Sequence, residues 1–249
     1  MLAIITLLIL ILAFIFSMLG LGGAMVYNPL MVWFGYDFKS VVVPTGLLLN
    51  GLTAASAAWV YYRRRMIDFG VALPLVVTSA LGAPAGAYVT QFVPTRWLLA
   101  LFSAAVLLAG GRMLLVSGAA DPETVRGTAR QRAVWGAGLG LGIGFIAGLL
   151  GIGGGFLIVP LLMLMGYPTK TAAATSAFTV VFSSATGFLG HLAVGHFDWQ
   201  LMVYAAVAVI VGSQVGAHVM HTRMRPLRLK QMFGVVLLVV AGKLILGLV

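Results

Sequence analysis

The sequence predicts an all-α integral membrane protein built from two related halves, each with about five hydrophobic segments. Three observations carry that expectation. Hydrophobic residues make up 61 % of the chain and charged residues only 8 %. A pattern of glycines, prolines and basic residues recurs at an offset of 131. The Lys and Arg residues collect in short loops between apolar runs. A soluble domain carries about a quarter charged residues, so this chain cannot cover a water-facing surface. Its 249 residues allow roughly eight to ten spans of about 20 residues each.

The first run, 2–19, is interrupted only by Thr6 and Ser17. It lacks the basic start and small-residue cleavage site of a leader, and reads as a first transmembrane helix. Runs at 25–35, 41–62, 69–92 and 97–116 complete a first membrane repeat, 1–116. The polar stretch Ser117–Gln131 reads as a cytoplasmic linker. A second repeat, 132–249, holds runs at 133–150, 156–166, 171–194, 199–220 and 229–248. In each half the second run is too short to span alone, which predicts a half-helix or re-entrant element.

Superposing the halves places Gly20-Leu21-Gly22-Gly23 on Gly151-Ile152-Gly153-Gly154. Pro29 falls on Pro160, Gly35-Tyr36 on Gly166-Tyr167, Lys39 on Lys170 and Arg112 on Lys243. Gly82 and Gly86 match Gly212 and Gly216 after a one-residue slip. This is the signature of internal duplication. The loop Arg63-Arg64-Arg65 is matched by Gly195-His196-Phe197-Asp198, which has no Lys or Arg, whereas Arg96 is matched by a loop carrying Arg223, Arg225, Arg228 and Lys230. Cytoplasmic loops are enriched in Lys and Arg. Equivalent loops therefore belong on opposite faces, and the repeats are expected to be inverted. The net charge of +10 is then an orientation signal, and no nucleic-acid partner is expected.

Each half carries a glycine-rich break followed by a short helix. Glycine lets a ligand approach the backbone, and the first amides of a helix carry partial positive charge. An anion at the midplane would satisfy both sets. The candidate substrate-binding residues are accordingly Gly20, Gly22, Gly23 and Asn28 in the first half, and Gly151, Gly153, Gly154 and Gly155 in the second. Gly82, Gly86, Gly212 and Gly216 are read instead as packing positions. The third run of each half is rich in hydroxyl and amide groups. Thr45, Asn50, Ser176, Thr179 and Ser183 join the candidate site, as neutral donors that could hold an oxyanion and still release it. Back-bonding to their own helix is the competing reading.

All five acids lie in loops or at their edges, so no buried carboxylate offers a proton or sodium relay. His191 is the candidate proton-handling group, with interfacial hydrogen bonding as its other reading. Arg112 and Lys243 are candidate electrostatic attractors or edge residues that snorkel. His218 and His221 read as interface residues, so no metal site is expected. Cysteine is absent, which excludes thiolate chemistry. No phosphate-binding loop, nucleophile elbow or zinc-protease motif occurs, so no enzyme activity and no cofactor is expected.

The segments GLLGIGGGFLIVPLLMLMGYPTKTAAATS (148–176), MLGLGGAMVYNPLMVWFGYDFK (18–39) and GHFDW (195–199) resemble the sulfite exporter TauE/SafE family of bacterial anion permeases. The resemblance implies transport of sulfite, sulfonates such as sulfoacetate, thiosulfate or related oxyanions and carboxylates across the bacterial inner membrane. It also implies a substrate site at the two glycine breaks. The first copy departs from the pattern at Ala24, where the second has Gly155. The reading from sequence is thus a secondary transporter of a small anion. An anion-selective channel or a non-transporting accessory protein are the alternatives. The lipid bilayer is the expected surrounding, and homodimer formation stays open.

Overall fold

The computed structural model describes residues 2–116, 125, 127–192 and 198–223, with six isolated positions beyond. Among the described residues all regular structure is helical: α1 (Leu2–Ser17), α2 (Ala24–Trp33), α3 (Val43–Arg63), α4 (Phe69–Thr90), α5 (Thr95–Val116), α6 (Ala129–Leu150), α7 (Gly155–Leu164), α8 (Thr169–His191) and α9 (Trp199–Arg223). Among the described residues five helices, those ending at Arg63, Thr90, Leu150, His191 and Arg223, are long and apolar enough to cross a membrane. The tenth expected run, 229–248, lies outside the described residues except for scattered positions.

Local chemistry sets the boundaries. A wide turn, Phe38–Val42, leads into α3, with Asp37 accepting from the Ser40 N–H at its start and Pro44 in the first helical turn. Asp68 caps α4 by accepting from the Gly70 N–H at 2.8 Å. Thr128 and Gln131 form a reciprocal capping box that starts α6 at Ala129, inside the stretch read as linker. The linker residues 117–124 lie outside the described residues.

The helices pack across the halves. The most extensive pairs are α4 with α6, α1 with α9, α4 with α8, α3 with α8 and α3 with α9. Exchanging the halves turns α4–α6 into α9–α1 and α4–α8 into α9–α3, and leaves α3–α8 unchanged. The same exchange holds at the level of atoms. A Cβ at Gly82 or Gly86 would strike the α6 backbone at Leu141 and Phe145. One at Gly212 or Gly216 would strike the α1 backbone at Leu10 and Phe14, which stand 131 residues earlier. These four glycines bring helix backbones together, as small residues do in membranes.

The ends of the bundle are equally ordered. The Arg132 guanidinium at the start of α6 lies 6.0 Å from the Tyr167 ring beyond the end of α7. Helices α6 and α7 therefore double back as a hairpin. Lys39 Nζ donates to the Gln91 carbonyl and Lys170 Nζ to the His221 carbonyl, each at 3.4 Å. Each of these lysines, one in each half, meets a carbonyl at the end of the fourth helix of its own half.

Candidate functional site

Both glycine breaks turn through left-handed backbone at matched positions. Gly20 and Gly22 have φ of 67° and 73°, and Gly151 and Gly153 both have 69°. Side chains other than glycine are strained there. The halves diverge one residue later, where Gly23 has φ −147° and Gly154 has φ 77°. The breaks then meet the partner half. Gly20 lies against the Ala173 backbone in α8, and Gly151 against Val43 in α3.

Asn50, fully buried in α3, ties the two breaks together. Its Oδ1 accepts from the Gly23 N–H at 2.7 Å and the Ala24 N–H at 2.9 Å. Its Nδ2 donates to Ser184 Oγ at 2.8 Å. Both side chains press on Gly153, where a Cβ would collide with them, and Asn50 also fills the space above Gly22. A neutral carboxamide oxygen thus occupies the positive end of α2. The expectation that free amides await an anion therefore needs correcting in the first half, because those amides are already paired. The position equivalent to Asn50 is Val181, so the duplication does not supply α7 with the same cap.

The carbonyls that end the preceding helices are satisfied in the same polar layer. Asn28 Nδ2 donates to the Gly151 carbonyl at 3.0 Å, and Thr90 Oγ1 to the Leu149 carbonyl at 3.0 Å. His191 Nε2 lies 3.2 Å from the Gly148 carbonyl. Tyr61 makes the matching bond in the first half, donating to the Ser17 carbonyl at 2.7 Å. Ser17 and Gly148 are 131 residues apart, and Tyr61 and His191 are 130 apart, the slip already seen in the glycines. His191 is thus placed as the counterpart of a tyrosine that ties its helix to the preceding break.

The hydroxyl stripe of α8 faces the second break. Ser183 Oγ donates to the Gly153 carbonyl at 2.9 Å and Ser176 Oγ to the Gly155 carbonyl at 3.4 Å. Thr179 bonds back to the Thr175 carbonyl at 3.0 Å, the local pattern expected of a helical threonine. Asn28 Oδ1 and Thr45 Oγ1 are buried side-chain oxygens without a hydrogen-bond partner. Asn28 and Thr45 belong to the candidate site, and Asn28 Oδ1 packs against Gly46, the residue after Thr45.

Arg112 sits on α5, with its side chain outside the described residues, and Lys243 lies outside them altogether. Sequence reasoning missed the pairing of Asn50 with Ser184 and the role of Tyr61. It also missed two links at the bundle ends. Burial, with the Asp68 carboxylate beside it, pushes the Tyr167 hydroxyl up to about 12. Burial and the Asp198 carboxylate raise Tyr36 in the same sense. Each tyrosine follows the hairpin of one half and faces the aspartate before the fourth helix of the other.

The family model of the sulfite exporter TauE/SafE matches residues 5–244. The probable membrane transporter protein YunE of Bacillus subtilis is 28 % identical, over 92 % of each chain. The probable membrane transporter protein MJ0441 of Methanocaldococcus jannaschii is 23 % identical over 89 % of this chain and 86 % of its own. The sulfite exporter TauE/SafE family protein 3 of Arabidopsis thaliana is 29 % identical over 47 % of this chain and 24 % of its own. No solved structure matches. With the family pattern running through both glycine breaks and nearly the whole chain, this protein belongs to the sulfite exporter TauE/SafE family of membrane transporters.

Proposed function

We propose that the protein is a secondary transporter of a small oxyanion, bound between the two glycine breaks, with sulfur oxyanions or organosulfonates such as sulfite and sulfoacetate as its substrates. The observation that carries this reading is the Asn50 carboxamide oxygen on the Gly23 and Ala24 amides. It occupies the place that one oxygen of a bound anion would take. A helix N-terminus favours a full negative charge over a neutral dipole. An arriving anion therefore competes well for these two donors, and Asn50 recaptures them when the anion leaves. The Thr45 hydroxyl, buried without a partner, supplies a further donor to the same layer.

The contacts also support an inverted repeat. The α6–α7 hairpin leaves and returns at one end of the bundle, beside Arg132 and Tyr167, so it adds no crossing. If α1–α2 fold back likewise, and α5 and the run 229–248 cross as the sequence predicts, each half makes three crossings, an odd number that reverses the orientation of the next half. The exchange symmetry of α4–α6 with α9–α1 fits this arrangement. Alternating access would rock the two halves about the midplane layer, in the bacterial inner membrane, with the Arg63–Arg65 turn facing the cytoplasm.

A ligand that binds the folded state raises its stability in proportion to affinity. Purified protein is therefore heated with sulfite, sulfoacetate, taurine, thiosulfate, sulfate or acetate, and stabilising anions are tested for counterflow in vesicles. Saturable counterflow by a stabilising sulfur oxyanion is the expected result. Stabilisation by acetate alone would remove the sulfur assignment, and large non-saturating anion currents would make the protein a channel.

A further inference from the structure

We propose that the α3–α4 turn, with the aromatic ladder beneath it, is a binding site for one anionic phospholipid. Tyr62, Arg63, Arg65, Ile67 and Phe69 line a cavity of about 450 Å³ at this turn. The Arg63 guanidinium carbon lies over the Trp59 ring, 5.2 Å from its centroid. A guanidinium held by an aromatic face still has N–H donors to offer, and its planar fork matches phosphate. The carboxylate in the turn, Asp68, accepts through Oδ1 from the Gly70 N–H.

The backbone of the turn points the same way. The Met66 N–H bonds to the Tyr61 carbonyl and the Arg65 N–H to the Tyr62 carbonyl. This closure normally places glycine at the left-handed position. Here Arg65 holds it, with φ 52°. A cationic side chain kept in a conformation that favours glycine indicates that the side chain is needed there.

Below the arginines runs a continuous aromatic track. Ring centroids are 6.4 Å apart from Trp59 to Tyr62, 6.2 Å from Tyr62 to Phe69, 5.4 Å from Phe69 to Phe178 and 5.2 Å from Phe178 to Phe182. Trp59 and Tyr62 are both 55 % exposed, Phe69 40 % and Phe182 39 %. Phe182 lies seven residues beyond Thr175, whose hydroxyl accepts from the Asp68 N–H of the turn at 3.1 Å, about 10 Å along the helix at 1.5 Å per residue. That track suits the upper part of an acyl chain, and a free phosphate would leave it unused. The equivalent loop of the second half carries no arginine, so the duplication does not repeat this site, which lies on the face where anionic lipids attract basic residues.

The test is native mass spectrometry of the full chain in detergent, titrated with phosphatidylglycerol, phosphatidylcholine or glycerol phosphate. Wild type should retain one phosphatidylglycerol in preference to phosphatidylcholine and should not retain glycerol phosphate. Arg63→Gln should weaken phosphatidylglycerol by about tenfold or more, the usual scale of a charge-assisted hydrogen bond. Arg65→Gly separates recognition from folding, because it should raise thermal stability while also weakening the lipid. Undiminished phosphatidylglycerol binding in the Arg63→Gln, Arg65→Gly double variant would overturn the site. Equal retention of phosphatidylcholine would overturn its charge selectivity, and equal retention of glycerol phosphate its identity as a lipid site.

Discussion

If Asn50 stands in for the substrate, replacing it should have opposite effects on the empty and the loaded protein. Asn50→Ala removes the acceptor of two buried N–H groups, bonded at 2.7 and 2.9 Å, and the donor to Ser184. A buried donor left without a partner costs about 1–3 kcal/mol. The two amides together should then cost the substrate-free protein about 2–6 kcal/mol, by the same figure doubled. A bound oxyanion recovers much of that by taking the amides itself. Asn50→Ala should therefore melt well below wild type without substrate, yet gain more on adding it.

Asn50→Asp tests the converse. A carboxylate on the Gly23 and Ala24 amides is a better partner than a carboxamide, so the empty protein should hold or gain stability. It should bind no anion, because a fixed negative charge already sits in the place the substrate needs. The assay is thermal unfolding of both variants and wild type over a titration of the stabilising anion, paired with vesicle flux. The reasoning fails if Asn50→Ala shows no substrate-induced stabilisation while Asn50→Asp keeps it. That pattern would show that binding needs an oxygen at position 50 on the α2 amides, and that the anion does not displace it.

Three further outcomes follow from the structure. Gly22→Ala and Gly153→Ala should each lose stability, by about 1–2 kcal/mol for a left-handed residue and more for displacing Asn50, and should lose transport with it. Normal melting and normal flux in both would remove the breaks from the site. Cysteines introduced singly at Arg64 and Gln200, in a chain with none of its own, should be labelled from opposite faces of the membrane. Labelling of both from one face would defeat the inverted topology. A tyrosine whose folded-state value is raised favours the fold fully below its ordinary value near 10 and loses that contribution as pH climbs through about 12. Melting temperature should fall over that window, less steeply in Tyr167→Phe, and an unchanged slope would show that Asp68 and burial do not act on this hydroxyl.

The helices were legible in the sequence because membrane burial leaves few choices. An apolar run must be a helix wherever lipid gives its backbone no other partner, and the nine described helices follow the expected runs closely. The shortness of the second helix in each half, ten residues in both α2 and α7, was legible from the length of its apolar run. What could not be read was which groups satisfy the breaks, since those bonds join residues far apart in the chain. Asn50 lies 26 to 27 positions from the amides it caps and 134 from Ser184. Composition says only that such a carboxamide is polar and buried.

The duplication could have revealed more, had departures from it been weighed as heavily as matches. Tyr61 opposite His191 and Asn50 opposite Val181 are breaks in the pattern at positions that touch the glycine breaks. The first pair conserves a task, since both side chains reach the carbonyl layer that ends the preceding helix. The second abandons one, since valine has no polar atom to offer. Two symmetric hairpins with identical caps would hold an anion equally from both sides. With Asn50 on one side only, the α2 amides are the set whose partner must change when an anion arrives. The α8 hydroxyls at Ser176 and Ser183 are bonded to the carbonyls of the other break. On the proposed function, substrate entry is then an exchange at α2 against a fixed second half. Ser183→Ala should accordingly lower stability with and without anion by similar amounts, unlike Asn50→Ala. If Ser183→Ala instead abolishes the anion's stabilising effect alone, the α8 hydroxyls contact the substrate and the exchange is shared by both halves.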